Sequence, residues 1–286
     1  MGKVKAAVAS TSPVDVASTL VAAVLNEKGG VAKTTTVLNL GYELAFRGLD
    51  VLLVDLDHRA DLTKATGATL AENQSSVVDA LTSPPDPFED CTLILPKETP
   101  GRLALVPSER DLAVLHLELA GLPPADRPGR LTPVLEWGRE HFRCILVDAP
   151  PGLGVFTSMI LGAVDVVIVP QEPSFMATSG IRELELTLHE FALAGVSVKV
   201  LGALITKIRY TLHHREYVDR LRERYGDLVF DALIPESVRY QESPAHGMAI
   251  REYLGSGPLV DAYSNLADEV IQRWRAGRAH LMPSLL

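Results

Sequence analysis

Lys28-Gly29-Gly30-Val31-Ala32-Lys33-Thr34-Thr35 sets two lysines, two glycines and two hydroxyls side by side, a combination suited to gripping a polyphosphate. The apolar run Leu20 to Leu25 precedes it and reads as a buried parallel strand. Thr36 to Ala45 follows, with apolar residues at helical spacing. A glycine-rich turn between strand and helix aims backbone N–H groups and the positive helix end at one point, and that point binds phosphate. The pattern Lys-Gly-Gly-x-x-Lys-Ser/Thr is met at every fixed position, which chance would produce in about one sequence of this length in a thousand. The commoner pattern, Gly-x-x-x-x-Gly-Lys-Ser/Thr, has glycine where this chain has Glu27 and Ala32. If the Ala32 position needs a positive φ, alanine is strained there.

Two further runs supply carboxylates. The strand-like segment Val51 to Val54 ends in Asp55-Leu56-Asp57, and Cys144 to Val147 ends in Asp148 with the shape of a Walker B strand. Ligands of parallel sheets bind beyond the carboxyl ends of the strands, the edge that carries the lysine-rich turn. Strand residues two apart point the same way, so Asp55 and Asp57 can both face a bound phosphate. Carboxylates at this edge are what an Mg²⁺–nucleotide site requires. The alternative for Asp55 is a strand-end or helix cap.

The elements that must position these groups follow from the rest of the chain. Strand-like runs recur at Leu103 to Val106, Val166 to Val169 and Val198 to Ile205. Helical patterns lie at Ser108 to Ala120, Pro173 to Ala194 and Leu212 to Tyr225. This alternation predicts an α/β class: one domain with a twisted, mostly parallel sheet covered by helices on both faces. Ser83 to Pro87 and Leu122 to Gly129, rich in proline and glycine, read as surface loops. Residues 1–19 read as a flexible tail, 20–275 as the domain and 276–286 as a second tail.

Cys91 and Cys144 are too few for a disulfide framework and fit a reducing cytoplasm, with Cys144 a small core residue. The net charge of −9 excludes an overall basic protein, so any nucleic-acid contact must be local. No apolar run reaches the roughly 18 residues that span a bilayer.

Taken together, these motifs resemble the ParA/MinD group of deviant-Walker P-loop ATPases, in particular the ParA/Soj partition proteins, from about Leu20 to about Arg275. The resemblance is carried by the lysine-rich turn, the Val51 to Asp57 strand, Val106-Pro107-Ser108 and Leu146 to Pro151. It is also carried by Ile234-Pro235-Glu236-Ser237-Val238-Arg239 and Glu242 to Gly247. The chain departs from the group at Ala32, usually glycine, and at Asp57-His58-Arg59, usually Asp-Pro-Gln.

The resemblance implies an ATPase that uses ATP and Mg²⁺. Lys33 would contact the β- and γ-phosphates. Lys28, Gly29, Gly30, Val31, Ala32, Thr34 and Thr35 would complete the cradle, and Thr34, Asp55 and Asp148 would form the metal side. Asp57 would orient the attacking water, and Lys28 would reach the nucleotide of a second copy. Pro235 and Glu236 would lie at the adenine. The implied protein is cytoplasmic and nucleoid-associated, a homodimer on ATP that binds non-specific double-stranded DNA. A ParB-like centromere-binding protein would release it by stimulating hydrolysis, and no membrane contact is expected.

Between Lys199 and Arg224, basic residues outnumber acidic ones along an amphipathic helix with an apolar stripe at Tyr217, Val218, Leu221 and Tyr225. On composition alone a solvated, self-paired face is an equal alternative to a DNA surface. The resemblance favours DNA, with Arg239 and Arg209 matching positions the group uses. Three rival readings remain: a MinD-type ATPase acting at the membrane surface, a nitrogenase-reductase-like carrier with a cysteine-held iron–sulfur cluster, and a ParA-like positioner of another cargo.

Overall fold

A computed structural model of the protein describes residues 19–71, 74–83, 88–152, 154–173, 186, 189 and 199–281. The first buried strand, β1 (Leu20–Val24), runs into the lysine-rich turn and then α1 (Lys33–Phe46). β2 (Val51–Asp55), α2 (Asp61–Ala65) and α3 (Val77–Thr82) follow, then β3 (Leu93–Ile94), β4 (Leu103–Val106), α4 (Leu112–Ala120) and α5 (Pro128–His141). The second half holds β5 (Cys144–Asp148), α6 (Val155–Leu161), β6 (Val166–Gln171), β7 (Lys199–Ile208), α7 (Leu212–Tyr225) and β8 (Val229–Pro235). It closes with α8 (Arg239–Ala245), α9 (Ile250–Leu254), α10 (Pro258–Arg275) and β9 (His280–Leu281).

The strands form one sheet in the order β3-β4-β2-β5-β1-β6-β7-β8, with β9 paired to β7. β1 lies between β5 and β6, parallel to both. Only β3 on β4 and β9 on β7 run antiparallel among the described residues. The predicted class is therefore the observed one. The register sets Val24 beside Asp148 and Asp55 beside Asp148, so three strand ends meet at one edge.

Side chains alternate across the strands into two cores, as period-2 geometry requires. Val21, Ala23, Leu52, Val54, Ile145 and Val147 face α3 to α7. Leu20, Ala22, Val24, Val51, Leu53 and Leu146 face α1, α9 and α10. α1 approaches the sheet closely at Gly41, where an added Cβ would sit 2.6 Å from Leu53 Cδ2.

α7 matches its predicted limits. Thr211 caps it by accepting the His214 N–H at 3.2 Å, and Gly226 with φ 51° ends it. Its stripe of Tyr217, Val218 and Leu221 is buried, which leaves Arg215, Arg220 and Arg224 on the outer face. α5 is a correction, because it begins at Pro128 inside the segment read as a loop. Proline is favoured in a first helical turn, where its missing N–H costs nothing. The helical pattern Pro173 to Ala194 and positions 84–87 lie outside the described residues, except Pro173, Leu186 and His189.

Candidate functional site

The turn after β1 is pinned from three sides. Asn26 Nδ2 donates to Pro170 O at 2.7 Å, and Asn26 Oδ1 accepts the Lys28 N–H at 2.9 Å. Thr206 Oγ1 donates to Val31 O at 3.1 Å, and the Val31 side chain is buried. Gly152 N donates to Glu27 O at 2.8 Å, tying the turn to the loop after β5.

The turn's shape demands left-handed backbone at Gly30, φ 78°, and at Ala32, φ 70°. The strain foreseen for Ala32 is therefore present, and a left-handed alanine costs about 1–2 kcal/mol. Glycine there gives back up to ~1 kcal/mol through its greater freedom when unfolded. Ala32→Gly is accordingly expected to stabilise the protein by about 0.5–1 kcal/mol in urea unfolding, and a loss of stability would contradict the strain.

Ala32, Ala60 (φ 52°) and Lys207 (φ 52°) are the non-glycine residues with positive φ among those described. Ala32 and Lys207 line a single cavity, and Ala60 lies between two further lining residues, Arg59 and Asp61. Backbone strain gathered in this way marks a functional site.

That cavity, of about 530 Å³, opens at the carboxyl edge of the sheet, large enough for a drug-sized ligand. Gly29, Gly30, Ala32, Lys33, Thr34 and Thr35 line it with Asp57. Pro235, Glu236, Tyr240 and Tyr263 also line it, the Tyr263 hydroxyl lying 3.4 Å from Thr36 Oγ1. Lys28 is exposed on the turn and is not a lining residue.

Buried charge gathers at Lys33 and Asp148. Lys33 is buried, and its Nζ donates to Lys28 O at 3.1 Å. Burial lowers its pKa, while Asp148 and Asp57 act in the opposite sense. Thr34 Oγ1 donates to Asp148 Oδ2 at 2.7 Å. Asp148 is 0% exposed, and its Oδ1 is buried with no hydrogen-bond partner. Burial and then repulsion from Asp55 hold its carboxyl well above the usual range.

An orphaned carboxylate oxygen beside a threonine hydroxyl suits a hard divalent cation, which takes oxygen ligands. These two residues fit Mg²⁺.

Asp55, expected on the metal side, is bonded to its own loop. Its Oδ2 accepts the Thr63 N–H at 2.9 Å and the Thr63 hydroxyl at 2.8 Å, and its Oδ1 accepts the Asp57 N–H at 3.1 Å. Both oxygens thus help to shape the loop before and into α2, the capping role weighed as the alternative. Burial still raises its pKa to about 6.

Asp57 Oδ1 accepts the Arg59 N–H at 3.0 Å, and Ser108 Oγ donates to Asp57 O at 2.8 Å. Arg209 and Arg239 lie outside the cavity lining. Arg209 pairs with Glu236 through two nitrogens, and Arg239 pairs with Glu242 at 2.7 Å.

Sequence reasoning did not single out Asn26, Thr63 or Thr206, which hold the loops. Asn26 carries a readable signal, since an asparagine two residues before a turn lysine is an Asx-turn pattern. Thr63 and Thr206 carry none.

The AAA domain family matches residues 19–198. The chromosome-partitioning ATPase Soj of Thermus thermophilus is 34% identical over 259 residues, covering 88% of this chain and 95% of the relative. The chromosome partitioning protein ParA of Caulobacter vibrioides is also 34% identical, covering 91% and 96%. The chain belongs to the ParA/Soj family of partition ATPases.

Among solved structures, a cobyrinic acid a,c-diamide synthase from Mycobacterium smegmatis with bound ATP analogue and magnesium matches at TM-score 0.71. It is 30% identical and covers 94% of this chain and 100% of that one. The cell division ATPase MinD of Pyrococcus furiosus matches at TM-score 0.70 with 21% identity, over 88% and 98%, and shows the shared fold.

Two rival readings meet obstacles in this ParA/Soj chain. The α10 stripe of Leu266, Val270 and Ile271 is buried against the sheet, so it offers no apolar face to a bilayer. Among the described residues no helix is long and apolar enough to cross a membrane. Cys91 and Cys144 are buried in different cores on opposite sheet faces, where burial pushes both thiols up. Two such cysteines cannot present thiolates together to a cluster.

Proposed function

We propose that this protein is an ATP-dependent partition ATPase that binds ATP with Mg²⁺ in the cavity beyond β1. It dimerises on ATP and binds double-stranded DNA without sequence preference in that state. A ParB-like centromere-binding partner releases it by stimulating hydrolysis, which makes it nucleoid-associated in the cell. The observation that carries the reading is the Lys33–Thr34–Asp148 constellation, with its partnerless buried oxygen beneath a strained glycine turn.

In this reading Lys33 neutralises the β- and γ-phosphates, with backbone N–H groups of Gly29 to Thr35 around them. Thr34 and Asp148 hold the cation, which when bound offsets charge developing on the phosphate oxygens. Asp57, fixed by the Arg59 N–H, orients the attacking water, and Asp55 shapes the loop that carries it. Lys28, exposed on the turn, reaches the nucleotide of a second copy, where it does the work of an arginine finger. Positioning and electrostatics supply most of phosphoryl-transfer catalysis, so a single copy lacking its partner's lysine hydrolyses slowly. Pro235 and Glu236 flank the adenine.

The DNA surface is the outer face of α7 together with Arg209 and Arg239. Retention on a non-specific duplex should require ATP and Mg²⁺ and fall linearly in log affinity against log salt. Arg239→Ala should reduce that salt slope by about one while leaving ATP binding intact. Retention without nucleotide, or an unchanged slope, would contradict this assignment.

A further inference from the structure

Arg59 stands where the resemblance has glutamine, and it lines the same cavity as Lys33, Thr34 and Asp57. Its backbone is locked, and its exposed side chain pairs with two carboxylates of the same loop. The Arg59 N–H donates to Asp57 Oδ1 at 3.0 Å, Arg59 O accepts from Lys64 Nζ at 2.5 Å, and the left-handed turn at Ala60 follows. The side chain is 60% exposed and lines the cavity with Lys33, Thr34 and Asp57. Its Nη2 donates to Asp61 Oδ2 at 2.6 Å, and its Nε lies 3.7 Å from Asp57 Oδ2, beyond hydrogen-bond distance.

A guanidinium carries five N–H donors in a planar fork that matches phosphate oxygens. Asp61 accepts one of them from within the cavity wall, so the cation is parked at the site rather than drawn away from it. Because Arg59 shares the cavity wall with Lys33, Thr34 and Thr35, a polyphosphate held in that cavity lies beside the guanidinium. Position along the polyphosphate follows from Asp57: the group that faces the attacking water must lie beyond the last phosphate, and Arg59 adjoins Asp57.

We infer that Arg59 contacts the terminal phosphate of a bound nucleoside triphosphate, supplied by the same chain that binds it. The inference rests on the ATPase reading above. It gives this protein a cation in cis at the group that distinguishes ATP from ADP. Arg59 therefore sets how strongly the protein prefers the triphosphate, separately from the partner-supplied Lys28.

The test is calorimetric titration with a non-hydrolysable ATP analogue and with ADP, both with Mg²⁺, of wild type, Arg59→Gln and Arg59→Lys. Loss of one charge-assisted hydrogen bond is expected to weaken the analogue by about tenfold or more in Arg59→Gln. ADP affinity should stay within about twofold, because ADP lacks the phosphate in question. Arg59→Lys keeps the charge without the fork and should recover part of the preference. An unchanged analogue-to-ADP ratio in Arg59→Gln overturns the inference. So does an equal fall for both nucleotides, which marks Arg59 as loop support. Wild-type protein that takes up neither nucleotide overturns the ATPase reading itself.

Discussion

Lys33→Ala is expected to cost about a hundredfold or more in ATP affinity, since truncating a buried, hydrogen-bonded charge costs about 2–5 kcal/mol. Few other single changes should remove so much binding while harming the fold so little. Lys33 has been desolvated, and desolvation is the largest influence on its ammonium, lowering its pKa. A lysine whose folded pKa is depressed costs stability while it is charged, and that cost disappears only as pH rises above its unfolded value of about 10.4. Near neutrality the ligand-free variant should therefore melt no lower than wild type. Filter binding and thermal melting check the two halves. An Ala variant that still binds ATP tightly would show that the phosphate contact lies elsewhere.

Asp148→Asn should separate stability from function even more sharply. In the ligand-free protein Asp148 is buried with one oxygen unpartnered, and its register neighbour Asp55 is a second buried acid. Burial raises both carboxyls, and for Asp148 repulsion from Asp55 adds to it. Raised acids stabilise the fold below their unfolded value of about 3.9, and that contribution is lost as pH rises through the folded value, about 6 for Asp55. At neutral pH the pair is therefore a liability that the asparagine relieves.

The ligand-free variant should melt about 2–4 °C higher, the shift expected for ~1 kcal/mol in a chain of this size. Its advantage should shrink towards pH 4, where the wild-type acids are protonated. The same variant should lose the Mg²⁺-dependent part of the melting shift that ATP gives wild type, because the amide offers the cation no carboxylate. Melting curves from pH 4 to 8, with and without ATP and Mg²⁺, read both effects. A variant that melts lower without ligand, or keeps the full shift, would contradict the role given to Asp148.

Much of this site was readable because its positions are local in sequence. The turn from Lys28 to Thr35 sits between a strand and a helix whose apolar patterns are unambiguous, and Asp148 ends an equally plain strand. α7 was readable to its ends because Thr211 and Gly226 are strong stop signals on an amphipathic run. The three left-handed residues show where legibility fails. Ala32 was open to suspicion only because glycine is common there, whereas Ala60 and Lys207 carry no mark of their conformation.

Long-range partnerships were invisible for the same reason. Asp55 reads as a metal-side residue in the sequence, and its bonds to Thr63, eight residues on, carry no local mark. Arg209 and Glu236, read as belonging to separate surfaces, pair across 27 residues of sequence. α5 was obscured by Pro128, which belongs to the proline- and glycine-rich stretch Leu122 to Gly129 but fits the first turn of a helix.

The most direct measurement is calorimetric titration of the wild-type protein with ATP, with Mg²⁺ present and with it chelated. Saturable heat at one nucleotide per chain, weakened strongly by chelation, is the expected result. A flat trace at millimolar ATP with Mg²⁺ would mean that the turn from Lys28 to Thr35 holds no nucleotide.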